Sequence, residues 1–220
     1  MTANKKPDYQ KQTDSILQQI EATGKKPTLL LHACCGPCSS YVLEYLCEHF
    51  EITVLFYNPN IYPKEEYERR LQELLNFYTK FIPAKNVRVI QAPYEPEDFY
   101  KAVGTRENPE LANEGECGER CRRCYELRLR YTYDYAATNK FDYFCTTLSI
   151  SPFKDADMIN EIGLCLGDGA LREPQGPHEP RWLPSDFKKK NGFKRSLELS
   201  AEYNLYRQDY CGCIYSINHK

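Results

Sequence analysis

Four short apolar runs, separated by segments with helical periodicity, limit this chain to a small set of folds. The runs are Thr28-Leu29-Leu30-Leu31-His32-Ala33, Ile52-Thr53-Val54-Leu55-Phe56-Tyr57, Val87-Arg88-Val89-Ile90 and Tyr143-Phe144-Cys145-Thr146-Thr147-Leu148. Their length and their Pro, Gly and Asn boundaries favour buried strands over helices. Residues 39–50, 64–81 and 119–137 read as helices between them; the second carries Tyr67, Leu71, Leu74, Leu75 and Tyr78 on one side. Ser151-Pro152 reads as a further helix start, serine as cap and proline in the first turn. Such alternation predicts an α/β fold with a mostly parallel sheet flanked by helices. Residues 92–116 and 167–184 read as loops, and 185–207 as partly helical. The division expected is a polar N-terminal tail over 1–27, holding one short amphipathic helix around Ile16, Leu17 and Ile20, and a single domain over 28–220.

Ligands of a parallel sheet collect beyond the carboxyl ends of its strands. Here those ends carry Cys34-Cys35-Gly36-Pro37-Cys38, Asn58-Pro59-Asn60 and Ser149-Ile150-Ser151. The chain has eleven cysteines, an odd number, so complete internal pairing is impossible. No apolar run is long enough to span a membrane, and residues 1–26 lack the pattern of a secretory signal. The expected setting is therefore the reducing cytoplasm, where clustered cysteines serve as metal ligands or redox groups.

Cys121 and Cys124 are three residues apart and share a helix face beside Arg120, Arg122 and Arg123. One tetrahedral zinc is served by Cys35, Cys38, Cys121 and Cys124. A 4Fe-4S cluster is served by Cys34, Cys35, Cys121 and Cys124, with Cys38 beside it. Both readings stand on spacing alone. Cys211-Gly212-Cys213 is too close for an unstrained bridge, so oxidation there suits redox cycling better than stability. Cys47, Cys145 and Cys165 read as small core residues, and His32 as a core histidine.

The net charge of −2 makes no global case for nucleic acid. Two local clusters do: Arg120, Arg122, Arg123, Arg128 and Arg130, and Lys188, Lys189, Lys190, Lys194 and Arg195.

Four separated motifs carry a family likeness: His32-Ala33-Cys34-Cys35-Gly36-Pro37-Cys38-Ser39, Arg120-Cys121-Arg122-Arg123-Cys124-Tyr125, Thr146-Thr147-Leu148-Ser149-Ile150-Ser151-Pro152 and Tyr210-Cys211-Gly212-Cys213. In this order they resemble the QueH-type epoxyqueuosine reductases, as do Asn58-Pro59-Asn60-Ile61, Asp186-Phe187-Lys188-Lys189 and Tyr206-Arg207-Gln208. The resemblance implies reduction of the epoxide of epoxyqueuosine at the tRNA wobble position to queuosine, without cobalamin. It implies Cys34, Cys35, Cys121 and Cys124 as 4Fe-4S ligands and Cys211 with Cys213 as a redox-active pair. It also implies an additional iron near Cys38, where some relatives carry Asp. Cys117 falls outside the family motifs. The architecture expected is three-layered and nucleotide α-hydrolase-like (HUP-like). Expected partners are tRNA, contacted by Arg122, Arg123, Lys188 and Lys189, and an unidentified electron donor; no membrane is expected, and a monomer is the default. Asp155, Asp209 and Tyr210 are the candidate proton donors, Asp155 the one carried forward with Cys38 into the catalytic set. Two other readings compete: a cluster-dependent tRNA thiolase or similar ATPase, and a zinc-stabilised RNA-binding module without catalysis.

Overall fold

The strand at Thr28–His32, β1, sends its side chains alternately to two cores. Leu29 and Leu31 join one apolar cluster and Leu30 the other. The same alternation holds in β4 (Tyr143–Thr146), where Tyr143 and Cys145 face the first core and Phe144 the second. A sheet buried on both faces needs helices on both, which explains the nearly continuous apolar character of the runs. The structure is a computed structural model, and residues 6–167 and 178–217 are described.

The elements, in chain order, are α1 (Tyr9–Thr23), β1, α2 (Gly36–Leu46), β2 (Glu51–Phe56), α3 (Lys64–Tyr78), β3 (Arg88–Gln91), α4 (Pro96–Val103), α5 (Glu119–Thr138), β4, α6 (Ala156–Gly167), β5 (Arg181–Trp182), α7 (Gly192–Glu202) and α8 (Ile214–Ile217). The five strands are parallel, in the order β3-β2-β1-β4-β5. Residues from α1, α2, α3 and α7 fill one core, and residues from α5 and α6 fill the other. This is the three-layer α/β architecture expected. The chain leaves β1 toward β2 on one side and reaches β4 on the other, so the sheet reverses direction at β1. A crevice opens there, beyond the carboxyl ends of β1 and β4.

Several local expectations are corrected. The segment expected as a polar tail contributes a docked helix: Leu17 and Ile20 of α1 enter the first core, and the Thr13 hydroxyl donates to the Pro184 carbonyl oxygen at 2.6 Å. The region 92–116 contains α4, which starts at Pro96 where a missing N–H costs nothing. Ser151-Pro152 does not start α6. The cap is Asp155, whose Oδ1 accepts from the Met158 N–H at 3.0 Å. Residues 178–184 include β5 on the sheet edge; the rest of the loop expected at 167–184 lies outside the described residues, apart from Gly167, which ends α6. Cys165 is exposed, whereas Cys145 is fully buried.

Candidate functional site

Gly36 and Pro37 turn the chain from β1 directly into α2, with Cys35 as the cap residue in extended conformation. This turn sets three thiols at the start of a helix. Cys34, Cys35 and Cys38 have sulfurs within 4.8 Å of one another, and Cys34 and Cys35 Sγ are 3.8 Å apart. All eleven cysteines are free. Hydrogen bonds from Cys35 and Cys38, with the charges of Arg128 and Lys154, hold the Cys34 thiol well below its usual range. Cys35, whose hydrogen bond to Cys34 favours its protonated form, is pushed up to about 12, and Cys38 also goes up. Three clustered thiols, two buried and Cys38 half-buried, form a candidate metal site, since a soft cation displaces thiol protons.

The other cysteines come in from α5 and the C-terminal segment. Cys121 packs against the same apolar cluster as Cys34 and Cys35, and Cys124 packs with Cys213, Phe99 and Val103. Burial pushes Cys121 up to about 12 and also raises Cys124. Arg128 ties the groups together. It is 1% exposed, its Nη1 donates to Cys124 Sγ at 3.7 Å, and its charge also acts on Cys34. Arg70, also 1% exposed, acts on Cys34 and Cys35, and its Nη2 is buried without an acceptor. Gln208 Nε2 donates to Cys35 Sγ at 3.2 Å.

Cys34, Cys38, Lys154, Gln208, Asp209, Tyr210 and Cys211 border one cavity of about 430 Å³. Lys154 Nζ lies 2.8 Å from Cys211 Sγ. Cys213 is buried behind it; burial and the neighbouring Cys211 push its thiol up to about 11. Gly212 has φ +121, a backbone region that side chains rarely adopt, and its carbonyl oxygen accepts from the Tyr62 N–H at 2.7 Å. A Cβ there would stand 2.9 Å from Arg70 Nη1 and 3.3 Å from Ile61 Cγ1. Gly212→Ala is therefore expected to cost about 1–3 kcal/mol, read as a lower thermal midpoint.

Asp155, a candidate proton donor, does not border this cavity. Its carboxylate caps α6 and borders a second cleft of about 750 Å³, between α1 and residues 186–190. Asp209 and Tyr210 do line the cysteine cavity, and the Tyr210 hydroxyl donates to the Tyr62 carbonyl oxygen at 2.6 Å. His32 is a satisfied core residue. Nδ1 lies 2.8 Å from the Thr146 hydroxyl and Nε2 3.1 Å from the Tyr57 carbonyl oxygen; burial and Arg128 push its pKa down to about 3, so the ring is neutral.

The arginine cluster is not a bare basic face. Arg120 is buried and donates to the carbonyl oxygens of Leu111, Ala112 and Glu114. Arg123 and Arg130 pair with Glu119 and Glu126, and Arg122 lies 3.5 Å from Glu161. Lys188 lies 2.8 Å from Asp186, while Lys189 is exposed; both border the second cleft. Lys154 borders both cavities. Ser39 and Ser40 donate back to the Gly36 and Pro37 carbonyl oxygens, so the first turn of α2 spends its hydroxyls inside the helix. That leaves little of a phosphate cradle.

Lys154, Arg128 and Arg70 bring positive charge to the site, and sequence reasoning places none of them beside the thiols. Arg128 has a signal: it lies four residues after Cys124 and so shares its helix face. Lys154 is separated from Cys211 by 57 residues and has none.

These features define a class: a parallel α/β protein with a cluster of thiols, a candidate metal site, at the switch point of its sheet. Residues 29–219 match the family model described as "Epoxyqueuosine reductase QueH". Epoxyqueuosine reductase QueH of Staphylococcus aureus is 40% identical over 215 residues, covering 97% of this chain and 85% of that one. The protein of the same name from Streptococcus pyogenes is 40% identical over 221 residues, covering 97% and 81%. The chain belongs to the QueH family of epoxyqueuosine reductases. Among solved structures, the U34-tRNA thiolase NcsA from Methanococcus maripaludis overlays with TM-score 0.48 at 13% identity, covering 94% of this chain and 67% of that one. At that score the likeness adds nothing to the sheet order already described.

Proposed function

We propose that the cavity bordered by Cys34, Cys38 and Cys211 is where the epoxide of epoxyqueuosine in tRNA is reduced. The observation that carries this reading is the meeting of three thiol-bearing segments, 34–38, 121–124 and 211–213, around buried Arg128 and half-buried Lys154. The donor set fits a 4Fe-4S cluster held by Cys34, Cys35, Cys121 and Cys124. Soft thiolates are the ligands such clusters take. A cluster on four thiolates carries net negative charge, and buried Arg128 stands beside the thiols to balance it. Arg70 is paired through Nε with Glu66 at 2.6 Å, which leaves its buried Nη2 as a donor still open to an acceptor. When bound, such a cluster would supply a route for single electrons, and an additional iron near Cys38 with an open position would supply the Lewis acid for the epoxide oxygen.

The remaining chemistry belongs to the chain. Opening and removing the epoxide oxygen takes two electrons and two protons, leaving an alkene and water. Oxidation of the Cys211 and Cys213 thiols to a disulfide releases two electrons and two protons, which balances the reduction. An electron donor must then reduce the pair again. Asp209 and Tyr210 border the cavity on the segment that carries Cys211, so either can hand a proton to the departing oxygen. Anaerobic incubation with epoxyqueuosine-containing tRNA and a strong reductant tests the reading, with conversion to queuosine expected.

The compactness of Cys34, Cys35 and Cys38 favours a second reading, a single ion held by these three thiolates. That reading also accommodates an additional iron near Cys38. Sulfide analysis separates it from the cluster.

The tRNA backbone is assigned to the second cleft, where Lys188 and Lys189 stand beside the cysteine cavity. Replacing both with Met should weaken tRNA binding and flatten its dependence on salt, by roughly one in logarithmic slope for each phosphate no longer neutralised. An unchanged slope removes this segment from the interface.

A further inference from the structure

The Cys211 and Cys213 thiols occupy unequal surroundings. Cys211 Sγ borders the cavity and accepts a hydrogen bond from Lys154 Nζ at 2.8 Å. Cys213 Sγ does not border that cavity. It is buried with Phe99, Val103 and Cys124 and lies 3.6 Å from the Ser216 hydroxyl. Lys154 reaches Cys211 from the turn before α6, in which its own N–H bonds the Ser151 carbonyl oxygen at 3.3 Å. Its ammonium also sits 5.9 Å from the centre of the Tyr125 ring.

We infer that Lys154 is a positioning residue that fixes the Cys211 sulfur at the cavity wall as the reacting member of the pair, with Cys213 as the resolving thiol. The hydrogen bond from the ammonium fixes the direction of the sulfur. Cys213, packed away from the cavity, reaches the reaction only through Cys211. Burial alone would drive the proton off Lys154, but the charges of Cys211 and Tyr125 outweigh it and keep the ammonium protonated. The order of events follows from this asymmetry. Cys211, facing the cavity, meets the epoxide, and Cys213 closes on the Cys211 sulfur: two S–H bonds break and one S–S bond forms, and the two electrons and two protons released go to the epoxide, whose C–O bonds break to leave an alkene and water. This inference rests on the redox reading of the pair, and its test does not require turnover.

The test is alkylation of the anaerobic, iron-loaded protein by iodoacetamide at neutral pH. Labelling of Cys211 and Cys213 is followed by peptide mass spectrometry in wild type, Lys154→Met and Lys154→Arg, with iron and sulfide content as the check on folding. Lys154→Met should slow Cys211 labelling on the order of tenfold and leave Cys213 unchanged. Lys154→Arg keeps the charge and should restore most of the rate. A merely structural role predicts that both variants change together. If Lys154→Met does not retain iron, Lys154→Gln, with a neutral polar end, takes its place. Equal Cys211 labelling in wild type and the neutral variant overturns the inference, as does failure of Lys154→Arg to exceed it. If the labelling pattern holds but tRNA is not converted, the assignment of Lys154 to Cys211 stands and the epoxide reading fails.

Discussion

Cys124→Ala protein, purified without oxygen, is expected to carry only a small fraction of the wild-type iron and sulfide and to leave epoxyqueuosine unreduced. Cys124 is buried and lies on α5, away from the compact trio of Cys34, Cys35 and Cys38. A single ion held by the trio has no need of it. A cluster that recruits α5 loses one of four ligands and, with it, most of its affinity. The substitution also takes the sulfur acceptor from Arg128 Nη1, leaving a fully buried guanidinium short of a partner. That orphaned donor adds about 1–3 kcal/mol of destabilisation. Cys165→Ser is the control: the residue is exposed, and its metal content and activity should match wild type. Wild-type iron and sulfide in Cys124→Ala would remove α5 from the ligand set.

The second large effect is separation of cofactor content from turnover. Cys211→Ser should keep iron and sulfide near wild-type levels while the rate falls roughly a thousandfold or more, the scale seen when a reacting side chain is removed. Serine matches cysteine closely in size and still accepts from Lys154, so packing around the cavity survives. What it cannot do is store electrons. Cys213→Ser should behave the same way, because a lone thiol cannot close the intramolecular disulfide. Its hydroxyl would sit close to Ser216, which already bonds the Cys213 carbonyl oxygen. Rates are measured as single turnovers on epoxyqueuosine-containing tRNA. Full activity in either variant would reject a redox role for the pair.

Much of the architecture is legible in the sequence because burial on both faces leaves a nearly continuous apolar run, and β1, β2 and β4 each have one; β3, half-buried, is marked by Val89 and Ile90 alone. The strand β5 has no such run. It has two residues, and its place depends on hydrogen bonds to β4, such as Leu183 N–H to the Phe144 carbonyl oxygen at 3.0 Å. The helix α4 is hidden by Pro93, Pro96 and Pro109, which read as loop punctuation. Pro96 instead opens the helix, and Glu97 and Asp98 favour its positive end. Taking Ser151 rather than Asp155 as the cap of α6 displaces a helix start by one turn.

The cysteine groups are legible as groups, because spacing and helix periodicity place thiols on a face. Their charge environment is not. The arginines of α5 read as one basic stripe, yet Arg120 braces a loop and Arg128 points inward to Cys124. Which arginines turn inward depends on what packs against α5, and that is set by α4, α6 and the sheet. Lys154 is invisible for the same reason, since only the fold brings residues 154 and 211 together.

The most direct test of the central claim is iron and sulfide quantification on anaerobically purified protein, coupled to incubation with epoxyqueuosine-containing tRNA and a strong reductant. Iron with matching sulfide and conversion of the base to queuosine is the predicted result. Zinc without sulfide, and tRNA recovered unchanged, would contradict it.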